Sequence, residues 1–226
     1  MIAKHDLDQL LNQARVYCVG ASDAGLKAEL YDVLTEFCRD SGVWTQDIVV
    51  AYQPNVQTYP LFVPSGQIYD LVGVSDWGTT VPTPTTSTPA NASFVPALMP
   101  DFDTLVVKNK PQLAGYFVVT VRTNVVLPTD RNMVTDAPDW MLPRYHLGIL
   151  DGLIAKMMSQ PSKSYSNTER GVYHLKRFRD AIAQARVQKL RANTLGGTAW
   201  RFPQSYRSVS QQSGVPAIGS ANERNF

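Results

Sequence analysis

The run LGILDGLIAKMMSQPSKSYSNTERGVYHLKRFRDAIAQARVQKL (147–190) decides how the chain is read. Its first half, entered from Asp139, keeps a helical period. Leu142, His146, Ile149, Leu150, Leu153, Ile154 and Met157 fall on one side of a helix. Pro143 suits an early turn, and Gln160-Pro161 ends the segment. Ser166-Asn167-Thr168-Glu169 then reads as an S-x-x-E capping box, in which the two side chains satisfy amide protons at opposite ends of a turn. It starts a second helix running to about Asn193.

That second helix carries six Lys/Arg against one Asp over 171–193. At 100° per residue, Leu175, Phe178, Ile182 and Ala185 share one sector, which is its packing face. Its cations share none. Lys176, Arg177 and Arg191 point outward in different directions, while Arg179, Arg186 and Lys189 flank the apolar seam. A phosphate-gripping helix concentrates its charge along one stripe. Cations beside a seam fit ion pairs to neighbouring helices or subunits, with the aliphatic stem packed. Packing or assembly is therefore the expectation, with Arg179, Arg186 and Lys189 as candidate inter-subunit residues.

Outward from this pair, the N-terminal side begins with helices too. Leu7, Leu10, Leu11 and Ala14 form one stripe. A second helix, capped by Ser22 or Asp23 and stopped by Gly42, buries Leu26, Leu30, Val33, Leu34, Phe37 and Cys38. Between the two helical parts the grammar changes. IVVAYQ, TYPLFV, QIYDLVGVSDW, TLVVKN and GYFVVTVRTNVVL are β-branched and aromatic, bounded by Pro, Gly and Asn. They predict five to seven antiparallel strands, arranged as a sandwich or barrel. TTVPTPTTSTPANAS (79–93) has no charge and cannot pack as a core strand, so it reads as a long loop or arm. Beyond Thr194 the residues are mostly Gly, Ser, Gln and Asn, with Trp200, Phe202 and Tyr206 among them, too few to build a core.

The expected class is therefore α+β. An antiparallel helical bundle comes from 1–43 and 139–194, an inserted antiparallel β domain from 44–138, and an extended tail from 195–226. No apolar run is long enough to span a membrane, and MIAKHDLDQLLNQ lacks the apolar core of a secretory leader. Cys18 and Cys38, the only cysteines, are expected as reduced core thiols. Charge is segregated. Residues 1–140 hold 8 Lys/Arg and 15 Asp/Glu, whereas 141–226 hold 13 and 4, or −7 against +9. Such polarity suits an oriented partner or copies meeting by unlike surfaces.

Chemistry is hard to find. His5, His146 and His174 do not stand at metal-ligand spacing, and H-E-x-x-H, C-x-x-C, G-x-S-x-G and the P-loop pattern are all missing. Asp101 and Asp103 read as turn caps, and Gly196-Gly197 as a helix stop. No catalytic residue, cofactor or metal is expected.

The order of parts carries a resemblance. LLNQAR, then ELYDVLTEFCRDSGVWTQD, a β region opening near TYPLF and QIYDLVGV, the paired helices quoted first with their Pro-x-Lys-x-Tyr-Ser junction, and TAWRFPQ resemble the head-to-tail adaptor proteins of tailed bacteriophages. The likeness spans nearly the whole chain, apart from 79–93 and the length of the polar tail. It implies a ring of twelve copies beneath the portal protein at the capsid vertex of the virion, made in the bacterial cytoplasm. The helices would pack between subunits. The tail would dock on the portal through Trp200, Arg201, Phe202, Tyr206 and Arg207. The β part would face the downstream tail or nozzle protein, with DNA passing unread through the lumen. Two other classes remain: a carbohydrate- or receptor-binding β module using Trp44 and Trp77, and a non-specific DNA-binding protein using the basic half.

Overall fold

The computed structural model describes residues 4–79, 81–82, 93–126 and 137–193. Most of the Thr/Pro run at 79–93 and the whole tail from 194, with Trp200, Arg201, Phe202, Tyr206 and Arg207, lie outside the described residues. Within them the chain is mixed α and β, with antiparallel sheets. The order is α1 (Lys4–Tyr17), α2 (Asp23–Ser41), β1 (Thr45–Tyr52), β2 (Thr58–Pro60), β3 (Gln67–Asp76), β4 (Ser93–Phe94), β5 (Ala97–Asp101), β6 (Thr104–Val107), β7 (Gly115–Asn124), α3 (Met141–Met158) and α4 (Thr168–Asn193).

α2 ends where its sequence says it should. Ser22 Oγ accepts from the Gly25 amide at 3.2 Å, and Gly42 takes the left-handed conformation, returning its N–H to the Cys38 carbonyl at 2.9 Å. α4 starts differently from the S-x-x-E expectation. Asn167, one residue later, caps it by accepting from the Arg170 amide at 3.0 Å, while the Ser166 hydroxyl turns back to the Met158 carbonyl. An Asn is as good a cap as a Ser, and the tight α3–α4 connection gives Ser166 a carbonyl to serve.

The helical stripes meet in one core. Leu7, Leu10 and Leu11 of α1, Leu26, Leu34 and Phe37 of α2, Ile149, Leu153 and Ile154 of α3, and Phe178, Ile182 and Ala185 of α4 are all buried there, with Leu175 half-buried beside them. Trp44, the first residue after the α2 turn, joins this core rather than the sheet core. A second core lies among the strands, where Val50, Tyr52, Tyr59, Ile68, Val74, Leu105, Phe117, Val119 and Val121 are buried.

Two sheets hold those strands, ordered β1-β7-β3-β4 and β2-β6-β5. β7 alternates buried and half-exposed along its whole length, as VTVRTNV suggested. Two strands were not legible. β4 has only two residues, and β5 contains Pro100, which cannot donate to a ladder; β5 forms a sheet edge, where that omission is tolerated.

Cys18 and Cys38 are buried and unpaired thiols. Burial pushes Cys18 up to about 11 and Cys38 up to about 12, from an ordinary 9.0. A maleimide reagent should leave both unmodified in the folded chain and modify both in urea; rapid labelling in native buffer would contradict this packing. Because both values are raised, the linked stability is fully present below about pH 9 and is lost as pH climbs through 11 and 12.

Candidate interaction surfaces

The end of α2 is where helices and sheet join. A helix leaves its last carbonyls without helical partners, and here other elements supply them. Tyr69 of β3 donates to the Arg39 carbonyl at 3.0 Å, Arg186 of α4 donates to the Asp40 carbonyl, and Lys189 donates to the Gly42 carbonyl. Positive charge at a helix C-terminus also complements the macrodipole. Lys189 titrates below its usual value because burial disfavours its charged form and Arg122 stands nearby. Arg122 is in turn held by Asp70 at 2.9 Å.

This divides the three cations that the sequence grouped together. Arg186 and Lys189 hold their own chain's α2, whereas Arg179 is exposed and makes no ion pair among the described residues. The reason is position along the helix rather than its phase: Arg186 and Lys189 lie level with the end of α2 and bond its carbonyls, whereas Arg179, two turns earlier on nearly the same side as Arg186, makes no such bond. Reversing Arg179 to Glu should leave the melting temperature of the unassembled chain unchanged. Reversing Arg186 should lower it by a few degrees, since a charge-assisted bond contributes about 1–3 kcal/mol. Equal melting temperatures for the two variants would contradict this division.

A second constellation was missed by the sequence reading. Asp151 faces inward from α3, only 6% exposed. Its Oδ1 accepts from His174 Nδ1 at 2.7 Å and its Oδ2 stands in an ion pair 3.1 Å from Arg177 Nε, so α4 clamps it with residues three apart. The rings of Tyr17 and Tyr173 meet His174 edge-on, with centroids 5.9 and 5.3 Å away. With its ring enclosed this way, His174 ties α3, α4 and the end of α1 together. A signal did exist: Asp151 is a lone acid inside the apolar run LGILDGLIA, and such a residue needs a partner.

Beside this clamp, α3 and α4 enclose a polar groove of about 620 Å3 lined by Arg144, His146, Asp151, Arg177, Asp180 and Gln184, among others. α3 departs from helical geometry at Tyr145 on its wall. The other aromatic candidates divide: Trp44 is buried and cannot stack on a sugar, whereas Trp77 is half-buried. Asp101 and Asp103 flank Phe102 at the β5–β6 turn, as expected of turn residues. Among the described residues no group of three or more His, Cys, Asp or Glu is placed to hold a metal, and no helix is long and apolar enough to cross a membrane.

The outer faces of the helices are more apolar than isolation would favour. Val16, Tyr17 and Val19 at the end of α1, Leu147 of α3, and Val172, Tyr173 and Val187 of α4 are all exposed. No protein-family model matches the chain, and no curated protein matches it.

Proposed function

We propose that this chain is a virion structural protein, one subunit of a ring that joins the portal at the capsid vertex to the tail and leaves a channel for DNA. In this reading the helices from both ends of the chain are an antiparallel bundle that packs between subunits. The inserted strands are a sandwich or barrel-like unit facing the tail-side protein. Residues 195–226 are an extended tail that docks on the portal through Trp200, Arg201, Phe202, Tyr206 and Arg207. The ring holds twelve copies, and its work is mechanical rather than catalytic.

The observation that carries the reading is the exposed apolar surface on the outer sides of α1 and α4, at Val16, Val19, Val172 and Val187. It adds to a chain order that resembles the adaptor family over nearly the whole chain, apart from 79–93 and the length of the polar tail. Segregated charge supports it as well, because ring contacts join unlike faces and opposite charge sets their direction.

Electron microscopy of the purified protein, alone and mixed with portal, should show rings with an open centre. Particles lacking the protein should package DNA but leak it or gain no tails, and deleting 199–226 should leave a folded chain that no longer stays on the portal. Complete, infectious virions without this protein would end the proposal.

A further inference from the structure

Phe62 and Phe102 are two large apolar side chains left in solvent on the β part, 82% and 58% exposed. They line one cleft of about 450 Å3, together with Leu61, Val63, Asp101 and Asp103. The two loops that carry them are tied together. The Leu61 amide donates to the Asp103 carbonyl at 2.7 Å, and Gln46 of β1 donates its side-chain amide to the Ser65 carbonyl at 2.7 Å. The phenylalanines are therefore held in the open by a preformed frame, not displayed on a slack loop. Pre-organisation of this kind lowers the entropy lost on binding. The rim is acidic, since neither Asp101 nor Asp103 forms an ion pair among the described residues.

The outer face of α4 has the complementary chemistry. Val172, Lys176, Arg179, Ala183 and Val187 share one sector of α4, turned away from Phe178 and Ile182 with Arg179 nearest the seam, and all five are exposed. Valines of a size to enter such a cleft stand at both ends of this stripe, with two cations between them. Neither Lys176 nor Arg179 forms an ion pair among the described residues. Glu169 and Asp180 stand at the margin of the stripe, Asp180 one turn beyond Lys176, but neither is paired with Lys176 or Arg179 among the described residues.

We infer that the Phe62–Phe102 cleft of one copy receives the outer face of α4 from a second copy, with Asp101 and Asp103 set against Lys176 and Arg179. The occupant is a second copy of this chain because both halves of the match, apolar and charged, are present on one molecule. Their signs follow the −7 and +9 of the two parts of the sequence. A patch that fits a different patch on an identical molecule makes a heterologous contact, which repeats in one direction and closes into a ring when the rotation allows. The inference rests on the ring reading and names one of its subunit contacts.

A charge swap tests it. Full-length chains carrying Asp101→Lys with Asp103→Lys, or Lys176→Glu with Arg179→Glu, should each weaken self-association in sedimentation velocity by about tenfold or more. The chain carrying all four substitutions should recover most of the loss. Phe62→Ser should weaken association without any charge change, as removal of a buried aromatic anchor does. All five substituted positions are exposed, so far-UV circular dichroism and melting should match the unsubstituted protein. Association unchanged in either pair variant, or no recovery in the fourfold chain, overturns the contact. So does an unsubstituted chain that stays monomeric at about 100 μM, a concentration well above a micromolar dissociation constant. Rings that still form on the portal in every variant would discard this contact and keep the ring, whereas a vertex without rings would discard both.

Discussion

Replacing Asp151 with Ala should destabilise the chain by about 2–3 kcal/mol, the upper part of the range for leaving a buried hydrogen-bond donor without its partner. The loss comes chiefly through His174. Its side chain is 12% exposed and has little water to replace the lost carboxylate, whereas Arg177 is 47% exposed and can turn outward. Asp151→Asn keeps an acceptor for one of the two donors and should fall between Ala and the natural residue. The double substitution Asp151→Leu with His174→Phe removes both polar partners and fills the space with apolar atoms, so it should be less damaging than Asp151→Ala alone. Urea unfolding measures all four, read as midpoint shifts at constant slope. An Ala variant within about 1 kcal/mol of the original would mean that the α3–α4 clamp contributes nothing beyond packing.

How much of this was visible beforehand depends on whether the signal is local. The helix stripes were legible because burial at a 3.6-residue period writes itself directly into the sequence: Leu26, Leu30, Leu34 and Phe37 of α2 are all in the core. So was the stop at Gly42, since only a residue without Cβ is at ease in that conformation. β7 announced itself because both of its edges are paired and one face is buried, which forces strict alternation. β5 did not. An edge strand with one face in solvent needs neither alternation nor an uninterrupted row of donors, so ALMPD is indistinguishable from a loop.

The site was less legible, for a related reason. Arg179, Arg186 and Lys189 look alike on a helical wheel drawn about the apolar seam, and the wheel does not know where α2 ends. Only the tertiary placement of the Asp40 and Gly42 carbonyls separates the two cations that serve the fold from the one left facing outward. The Asp151–His174–Arg177 clamp joins α3 to α4 across 23 positions of sequence. Asp151 alone stood out, as an acid inside an apolar run, and no spacing rule pointed from it to His174 and Arg177. Phe62 and Phe102 were hidden in the same way, since sequence cannot tell an aromatic in a core from one held open by a loop-to-loop hydrogen bond.

Gly148→Leu should drive α3 and α4 apart and cost the chain much of its stability. Two effects oppose each other there. Glycine in a helix interior is about 1 kcal/mol worse than alanine, so any Cβ improves α3 as an isolated helix. But a Cβ at position 148 would stand 2.5 Å from the Ala181 Cβ, where no rotamer can relieve the overlap because both atoms are fixed to backbone. Driving α4 away from α3 would loosen Phe178 and Ile182 in the core, and overpacking of that kind costs about 1–3 kcal/mol and more when the added group is branched. The clash therefore outweighs the propensity gain: Gly148→Ala should lose stability modestly and Gly148→Leu by about 3 kcal/mol or more. Gly171 supplies the control, since its nearest neighbour would be Ser159 Oγ at 3.4 Å, an ordinary contact. Gly171→Ala should hold or gain stability. The sharper measurement is a cycle. If the loss at 148 comes from Ala181, then Ala181→Gly in the Gly148→Ala background should be less harmful than Ala181→Gly alone, a positive coupling that thermal or urea unfolding resolves. Strict additivity of the two would show that α3 and α4 do not touch at this point.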